Sequence, residues 1–419
     1  MYASLVSSLN RKVNKKVLII GSGPAGMITA AYLLKAGIQV EIIEKSVFPR
    51  LVVGESLLPV SMDQYEELGL FEALNAAQFE TKPGVRFIRK GKTFDFSFGN
   101  QHTQDAKTWA WQVPRADFDQ VIANEIQQRG AIIQFGSDIS AVRFEKQVEL
   151  DYTKDGQEYT AKGDFLVDSS GFGCVLPKLL GHEVKREVYP NRAFFTHVKD
   201  EKALQYPDPR RIAFDILETE LWFWVIPFSN GITSLGFAGN KKYFNDEVPA
   251  DQWFREMMKK SEKFYDRFKD CEFLFEPKWH KGYSQTATTM YGDRYVLVGN
   301  TLEFLDPVFS SGVALATMSA KFASVQLIKE LTGDKADWEL FLSQIKQGIE
   351  VFRTYVETWY SGELQDIFFS DQFNEGFQRQ ICSVLAGYVW DEQNSFVKQH
   401  KRAVSALAKV VRLGEVQVA

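Results

Sequence analysis

The glycine-rich turn Gly21-Ser-Gly-Pro-Ala-Gly26 and the acid Glu44 have the types and spacing that hold a dinucleotide. Gly21 permits a tight turn, Gly23 lets the backbone approach a pyrophosphate, and Gly26 lets a helix pack closely on a strand. Glu44, about 20 residues further on, accepts ribose hydroxyl protons. Unpaired N–H groups and the helix dipole would attract the phosphates. The elements that must position these groups are legible around them. Lys16-Val-Leu-Ile-Ile20 is an apolar run that stops at the turn, Met27 to Ala36 is helix-like, and Val40-Glu-Ile-Ile43 leads into Glu44. Strand, turn, helix and strand follow in the order that a dinucleotide-binding βαβ unit requires.

Beyond this unit the pattern changes. Val85-Arg-Phe-Ile88 and Phe94-Asp-Phe-Ser-Phe98 predict antiparallel strands. A helix is predicted from Arg115 to about Arg129, and Ala131 to Phe135 reads as a return to the first sheet. Phe165-Leu-Val-Asp168 is a further strand ending in Ser-Ser-Gly171. Alternating segments between about Val184 and Gly282 predict a larger antiparallel sheet. Tyr295 to Gly299 resumes the parallel pattern, and Val313 to Leu331 predicts a helix. Phe341, Ile345, Ile349 and Phe352 set a helical period in the last part of the chain. The fold class expected is α/β: a Rossmann-like domain over 15–84, 113–183 and 286–335, an antiparallel-sheet domain over 85–112 and 184–285, and a helical region over 336–419.

The 419 residues carry 49 basic and 54 acidic side chains, a net charge of -5, which excludes the strongly basic surface of a dedicated nucleic-acid binder. No apolar run approaches the roughly 20 residues needed to span a bilayer, and Met1 to Lys16 lacks a secretory apolar core, so a cytoplasmic location is expected. Cys174, Cys271 and Cys382 lie far apart, and the five histidines are scattered, so neither a metal site nor a disulfide framework is expected. The 34 phenylalanines suit a pocket for planar ligands or simply an aromatic core.

The order of segments resembles the flavoprotein monooxygenase superfamily: GSGPAG, Arg115 in a V-P-R-x-x-F-D-like stretch, Asp168-Ser-Ser-Gly171, and a late strand entering Gly299-Asn300. Three further segments resemble its flavin-dependent halogenase branch, the phenol and pyrrole halogenases above all. Trp222-Phe-Trp-Val-Ile-Pro227 is similar to the WxWxIP motif, Phe304-Leu-Asp-Pro-Val-Phe-Ser-Ser-Gly312 to FxxPxxSxG, and Phe79-Glu-Thr-Lys-Pro-Gly-Val-Arg-Phe87 to FxxKxGxxF. Arg50-Leu-Val-Val-Gly-Glu-Ser-Leu-Leu-Pro59 resembles the R-x-x-x-GESLxP loop beside the flavin ring, and Leu385 to Asp391 a C-terminal segment of the same branch.

The resemblance implies FAD as cofactor, held by Gly21, Gly23, Gly26, Glu44, Lys45, Arg50, Glu55, Ser56, Arg115, Asp168, Asn300, Pro307 and Gly312. It implies an enzyme that forms a flavin hydroperoxide and acts on an electron-rich aromatic, either free or on a carrier protein. Chloride or bromide is expected at Ser311 and Gly312, where N–H groups at a helix start can bind an anion, although a plain serine N-cap has the same sequence. Trp222, Trp224 and Pro227 are expected beside the channel; by strand period both indoles also point into a core. Lys82 is expected to hold the halogenating species, against the default of a solvated charge. The tryptophan-specific members carry Glu where this chain has Phe309, which argues against tryptophan as substrate. Gly171-Phe-Gly173 lacks a third glycine, which suits FADH2 delivered by a separate flavin reductase. An aromatic hydroxylase, a geranylgeranyl-reductase-like enzyme and a non-catalytic flavin binder stay open as alternatives.

Overall fold

The structure, a computed structural model, describes residues 14–186 and 189–418. The expectation drawn from the start of the chain falls on Met1 to Val13, outside these residues.

The apolar run Lys16–Ile20 forms the centre of a six-stranded sheet, flanked in parallel by Gln39–Ile43 and Phe165–Asp168. Ile132–Gln134 extends it on one side, and Tyr295–Leu297, with the short antiparallel edge Tyr291–Gly292, on the other. Its central strand is covered on both faces, which is why it carries no alternation: Val17, Leu18 and Ile19 are all buried. The helix Pro24–Lys35 packs against the long helix Ser311–Thr332 and is buried all round from Ala25 to Leu33.

A second, seven-stranded sheet runs in the order Lys278–Lys281, Asn191–Lys199, Ile232–Asn240, Leu221–Pro227, Ala213–Glu218, Gly84–Arg89, Lys92–Ser97. The expectation of an antiparallel sheet is corrected at one pair, since Ala213–Glu218 lies parallel to Gly84–Arg89. These strands belong to separate passages of the chain, so no hairpin dictates their relative direction. Along the strand Leu221–Pro227, Trp222, Trp224 and Ile226 enter the main core, while Phe223 and Val225 face a second one. That second core is closed by the helix Ala250–Met258 through Trp253, Phe254, Met257 and Met258. The helix replaces part of the predicted sheet region, and the antiparallel meander Ser137–Phe144, Val148–Lys154, Gln157–Gly163 is a further element that the sequence pattern did not announce.

The C-terminal part is helical: Trp338–Tyr360, Glu363–Phe368, Glu375–Leu385, Ser395–Lys398 and His400–Val418. Phe341, Ile345, Ile349 and Phe352 are buried, as their period predicts. Tyr388 ties this region to the rest: its hydroxyl donates to Asp63 at 2.9 Å and accepts from the Lys107 amide at 2.8 Å. No helix among the described residues is long and apolar enough to cross a membrane.

Candidate cofactor cleft and reaction chamber

Gly21, Glu44 and Ser169 follow the C-terminal ends of three adjacent parallel strands and line a cleft of about 440 Å³. Gly21 has φ +89°, and a Cβ there would meet the Ser169 carbonyl at 2.9 Å. A Cβ at Gly26 would lie 2.1 Å from the Gly21 oxygen, so only glycine lets the helix start this close to the turn. Gly23 is the helix N-cap; no side chain caps it and no acid occupies the first turn, which leaves its N–H groups to an incoming anion. Arg50 also lines the cleft; its Nε is buried without a hydrogen-bond partner, 4.0 Å from Glu44 Oε1, and its Nη2 lies 3.6 Å from Asp119. An uncapped helix start beside an orphaned guanidinium N–H fits a pyrophosphate. Glu44 accepts from Ser22 N at 2.7 Å, Ser22 Oγ at 3.0 Å and Ser46 N at 2.7 Å, so it shapes the turn as well as facing the cleft. Lys45 and Asn300 line the cleft too, Lys45 pairing at its exposed end with Asp138.

Four expected cofactor residues sit differently: Glu55 and Ser56 lie outside the cleft lining, on the inner cavity beyond it, and Arg115 and Asp168 are engaged by the protein itself. Arg115 reaches the cleft but spends its Nε and Nη2 on Asp119, each at 2.9 Å, and donates Nη1 to the Val53 carbonyl at 3.2 Å. It therefore clamps the 53–56 loop. Asp168 is absent from the cleft wall; it is fully buried and accepts from the amides of Ser170 and Leu176, each at 2.8 Å. Its work is to fold the 169–173 loop that does line the cleft. Arg115→Ala is expected to weaken FAD binding by releasing Val53 and Gly54, with circular dichroism unchanged; an unaltered FAD titration rejects this role.

Past Val53, Trp224, Phe304 and Pro307 the cleft narrows into an inner cavity of about 80 Å³, walled by Glu55, Ser56, Trp222, Trp224, Ser310 and Gly312. The Trp224 ring lies flat over Gly236, its partner on the next strand, where a Cβ would come within 2.2 Å of it. Trp222 donates to the Tyr360 hydroxyl at 3.2 Å, and that hydroxyl donates to Asp306 at 3.1 Å. Asp306 is fully buried and also receives Asn191 at 2.9 Å, Tyr283 at 3.0 Å and the Val308 amide at 3.1 Å. Burial outweighs these donors and pushes its carboxyl up to about 6. The brace sets the turn Pro307–Phe309 and, after it, Ser310 at φ +56°, the N-cap of the long helix. No side chain caps that helix and no acid lies in its first turn. Ser310 and Gly312 face the cavity, while Ser311, the expected halide residue, is buried outside its lining. Pro227 likewise stands outside the lining, its carbonyl accepting from Gln112.

Lys82 overturns the default for a lysine. It ends the short strand Glu80–Lys82, which pairs with Ala110–Gln112, and is 2% exposed. Its Nζ donates to Ser56 Oγ at 2.8 Å and to the Leu57 carbonyl at 2.9 Å, and lies 5.3 Å from the Phe98 ring centroid. Burial without a carboxylate partner pulls the ammonium down to about 7. Ser56 in turn accepts from Ser310 at 3.0 Å, so a hydroxyl pair joins the lysine to the uncapped helix start. Among the described residues no three of His, Cys, Asp or Glu form a metal-holding group.

Residues 14–344 match the family model described as an FAD binding domain. Over 77% of its length the chain is 31% identical to the 1H-pyrrole-2-carbonyl-[peptidyl-carrier protein] brominase of Pseudoalteromonas luteoviolacea, covering 79% of that protein. The chain belongs to the flavin-dependent halogenase branch of the FAD-binding family. Within this family it is also similar to the 1H-pyrrole-2-carbonyl-[peptidyl-carrier protein] chlorinase of Pseudomonas fluorescens, 28% identical over 93% of each chain. Among solved structures, a flavoprotein/dehydrogenase from Cytophaga hutchinsonii superposes with a TM-score of 0.92 at 39% identity, over 96% of this chain and all of that one.

Three site residues escaped the sequence reading: Ser310, Asp306 and His197, whose ring meets Glu55. Ser310 and Asp306 had a signal, since both lie inside the stretch similar to FxxPxxSxG. His197 had none, because its partner is 142 positions away.

Proposed function

We propose that the protein is an FAD-dependent halogenase-like oxidoreductase that transfers chloride or bromide to an electron-rich aromatic ring. The observation that carries this reading is the buried Lys82, linked through Ser56 to Ser310 at the mouth of an uncapped helix. Reduced FAD, when bound in the cleft, supplies the electrons that activate O2. The rest of the work falls to the chain. Gly21, Gly23 and Arg50 hold the cofactor phosphates; the helix start at Ser310 and Gly312 holds the halide; Trp222 and Trp224 keep the ring substrate off the flavin side. Lys82 holds hypohalous acid by hydrogen bond or, as the free amine, exchanges an N–H hydrogen for its halogen and releases water, a task suited to an amine that titrates near neutrality. The single glycine fingerprint supports delivery of FADH2 by a separate flavin reductase. Two relatives named for carrier-bound pyrrole carbonyl groups support a ring presented on a carrier protein.

FAD at a hundredfold excess over its dissociation constant is expected to stabilise the protein by about 2.7 kcal/mol, read as a rise in melting temperature. No thermal protection by FAD or FADH2 would remove the foundation of the reading. With FADH2, O2 and bromide, a halogen-accepting dye should then be consumed. A dehydrogenase reading, favoured by the name of the Cytophaga relative, predicts halide-independent electron transfer instead.

A further inference from the structure

The inner cavity holds one polar group that the reading above leaves idle. Glu55 lines it and is 2% exposed, and its Oε1 lies 2.6 Å from Nε2 of the buried His197. Its Oε2 is buried with no partner. The His197 ring is enclosed by Phe195, Phe228 and Phe275, with centroids 6.1, 5.5 and 5.0 Å away. A bare carboxylate is costly in such surroundings. It would also face the same small chamber as Ser310 and Gly312, where it would repel a halide. One added proton removes both problems. With His197 Nε2–H donating to Oε1, a proton on Oε2 makes the pair neutral and turns the orphaned oxygen from an unpaired acceptor into a donor.

We infer that Glu55 and His197 form a proton-holding pair that completes the halide site, so that a halide enters the cavity together with one proton, carried on Glu55. This rests on the halide reading above and adds the partner opposite the helix start. It is an acid–base step only: the proton comes from solvent, and no bond to the halide forms or breaks. Other charged groups face the pair. Lys82 approaches from its strand through Ser56, and Arg115, paired with Asp119, through the carbonyls of Val53 and Gly54. Asp306 stands behind the Pro307–Phe309 turn. On the sheet side, Lys278 lies over the Phe275 ring and His280 against Phe195. Lys82 also titrates near neutrality, so the experiment must separate it from the pair.

The probe is sodium bromide, titrated calorimetrically into the FAD-loaded protein at pH 8 in buffers of different ionisation heat, which yields protons taken up per bromide bound. Wild type is expected to take up close to one proton, and its bromide affinity to weaken by up to about tenfold per pH unit as pH rises, the slope that one linked proton sets. Glu55→Gln should bind bromide without proton uptake and with a flat pH profile, whereas Lys82→Met should keep the uptake. NMR of the wild-type histidines adds a reading that needs no variant: the His197 ring signal should move when bromide binds. Bromide binding by wild type without proton uptake, or uptake that survives Glu55→Gln and vanishes in Lys82→Met, overturns the inference. Failure of bromide to bind wild type at any pH from 6 to 9 overturns the halide reading itself.

Discussion

Lys82→Met is expected to lower halogen transfer to an aromatic acceptor at least about a hundredfold, the scale of losing a positioned proton-transfer group, while FAD binding and FADH2 oxidation stay near wild type. Methionine keeps the apolar stem against Phe98 and loses the donors to Ser56 and Leu57, and Lys82 itself lines neither the cleft nor the cavity. Dye consumption at the wild-type rate would sink the lysine assignment; loss of FAD affinity would move Lys82 into the cofactor support. Stability gives an independent reading. The ammonium's folded value, about 7 against 10.5 unfolded, means that burying the charge costs roughly 5 kcal/mol below pH 7. That cost fades as pH rises from 7 to 10.5, because the unfolded chain then binds the extra proton. Urea denaturation should therefore show the methionine variant ahead of wild type at pH 7, offset by two lost hydrogen bonds of about 1 kcal/mol each, and losing that lead toward pH 10.5.

Gly26→Ala should remove FAD binding almost completely. The new methyl would lie 2.1 Å from the Gly21 oxygen and 2.4 Å from Ser169 Oγ, which itself holds the Ile20 and Gly21 carbonyls at 2.7 and 2.8 Å. The helix start has to back away from the turn, at a cost of about 1–3 kcal/mol for overpacking, and its N–H groups leave the phosphate position together. Flavin fluorescence titration should show a weakening of about a hundredfold or more. Affinity within threefold of wild type would mean that the cofactor phosphates bind elsewhere.

These effects follow from features with unequal visibility in the sequence. The Gly21–Gly26 turn and Glu44 could be read directly, because a tight local backbone admits few residue types and all of its parts lie within one βαβ unit. The helix around Trp253 and Phe254 was masked by neighbouring strand alternation, even though Met257 and Met258 repeat its apolar pair one turn later. The parallel contact of Ala213–Glu218 with Gly84–Arg89 had no local sign, since strand direction is set by tertiary packing. Lys82 could be placed in a motif, but its burial comes from Ser56, Leu57 and Phe98, which approach from other segments. Arg115 and Asp168 sit in segments whose resemblance implies cofactor contact; in the structure Arg115 pairs with Asp119 on its own helix and holds the 53–54 carbonyls, and Asp168 holds the 169–173 loop of the cleft wall.

The brace from Asp306 to Tyr360 and Trp222 bears on modularity. Tyr360 ends the first C-terminal helix, whereas Asp306 and Trp222 belong to the two sheet-bearing parts. The helical region is therefore no interchangeable cap. A chimera that exchanges residues 336–419 for the corresponding segment of a relative would forfeit the hydroxyl that holds indole and carboxylate in register. Grafts intended to change substrate should retain Tyr360 or transplant the carboxylate and indole with its replacement, so that the three residues travel as one heritable unit.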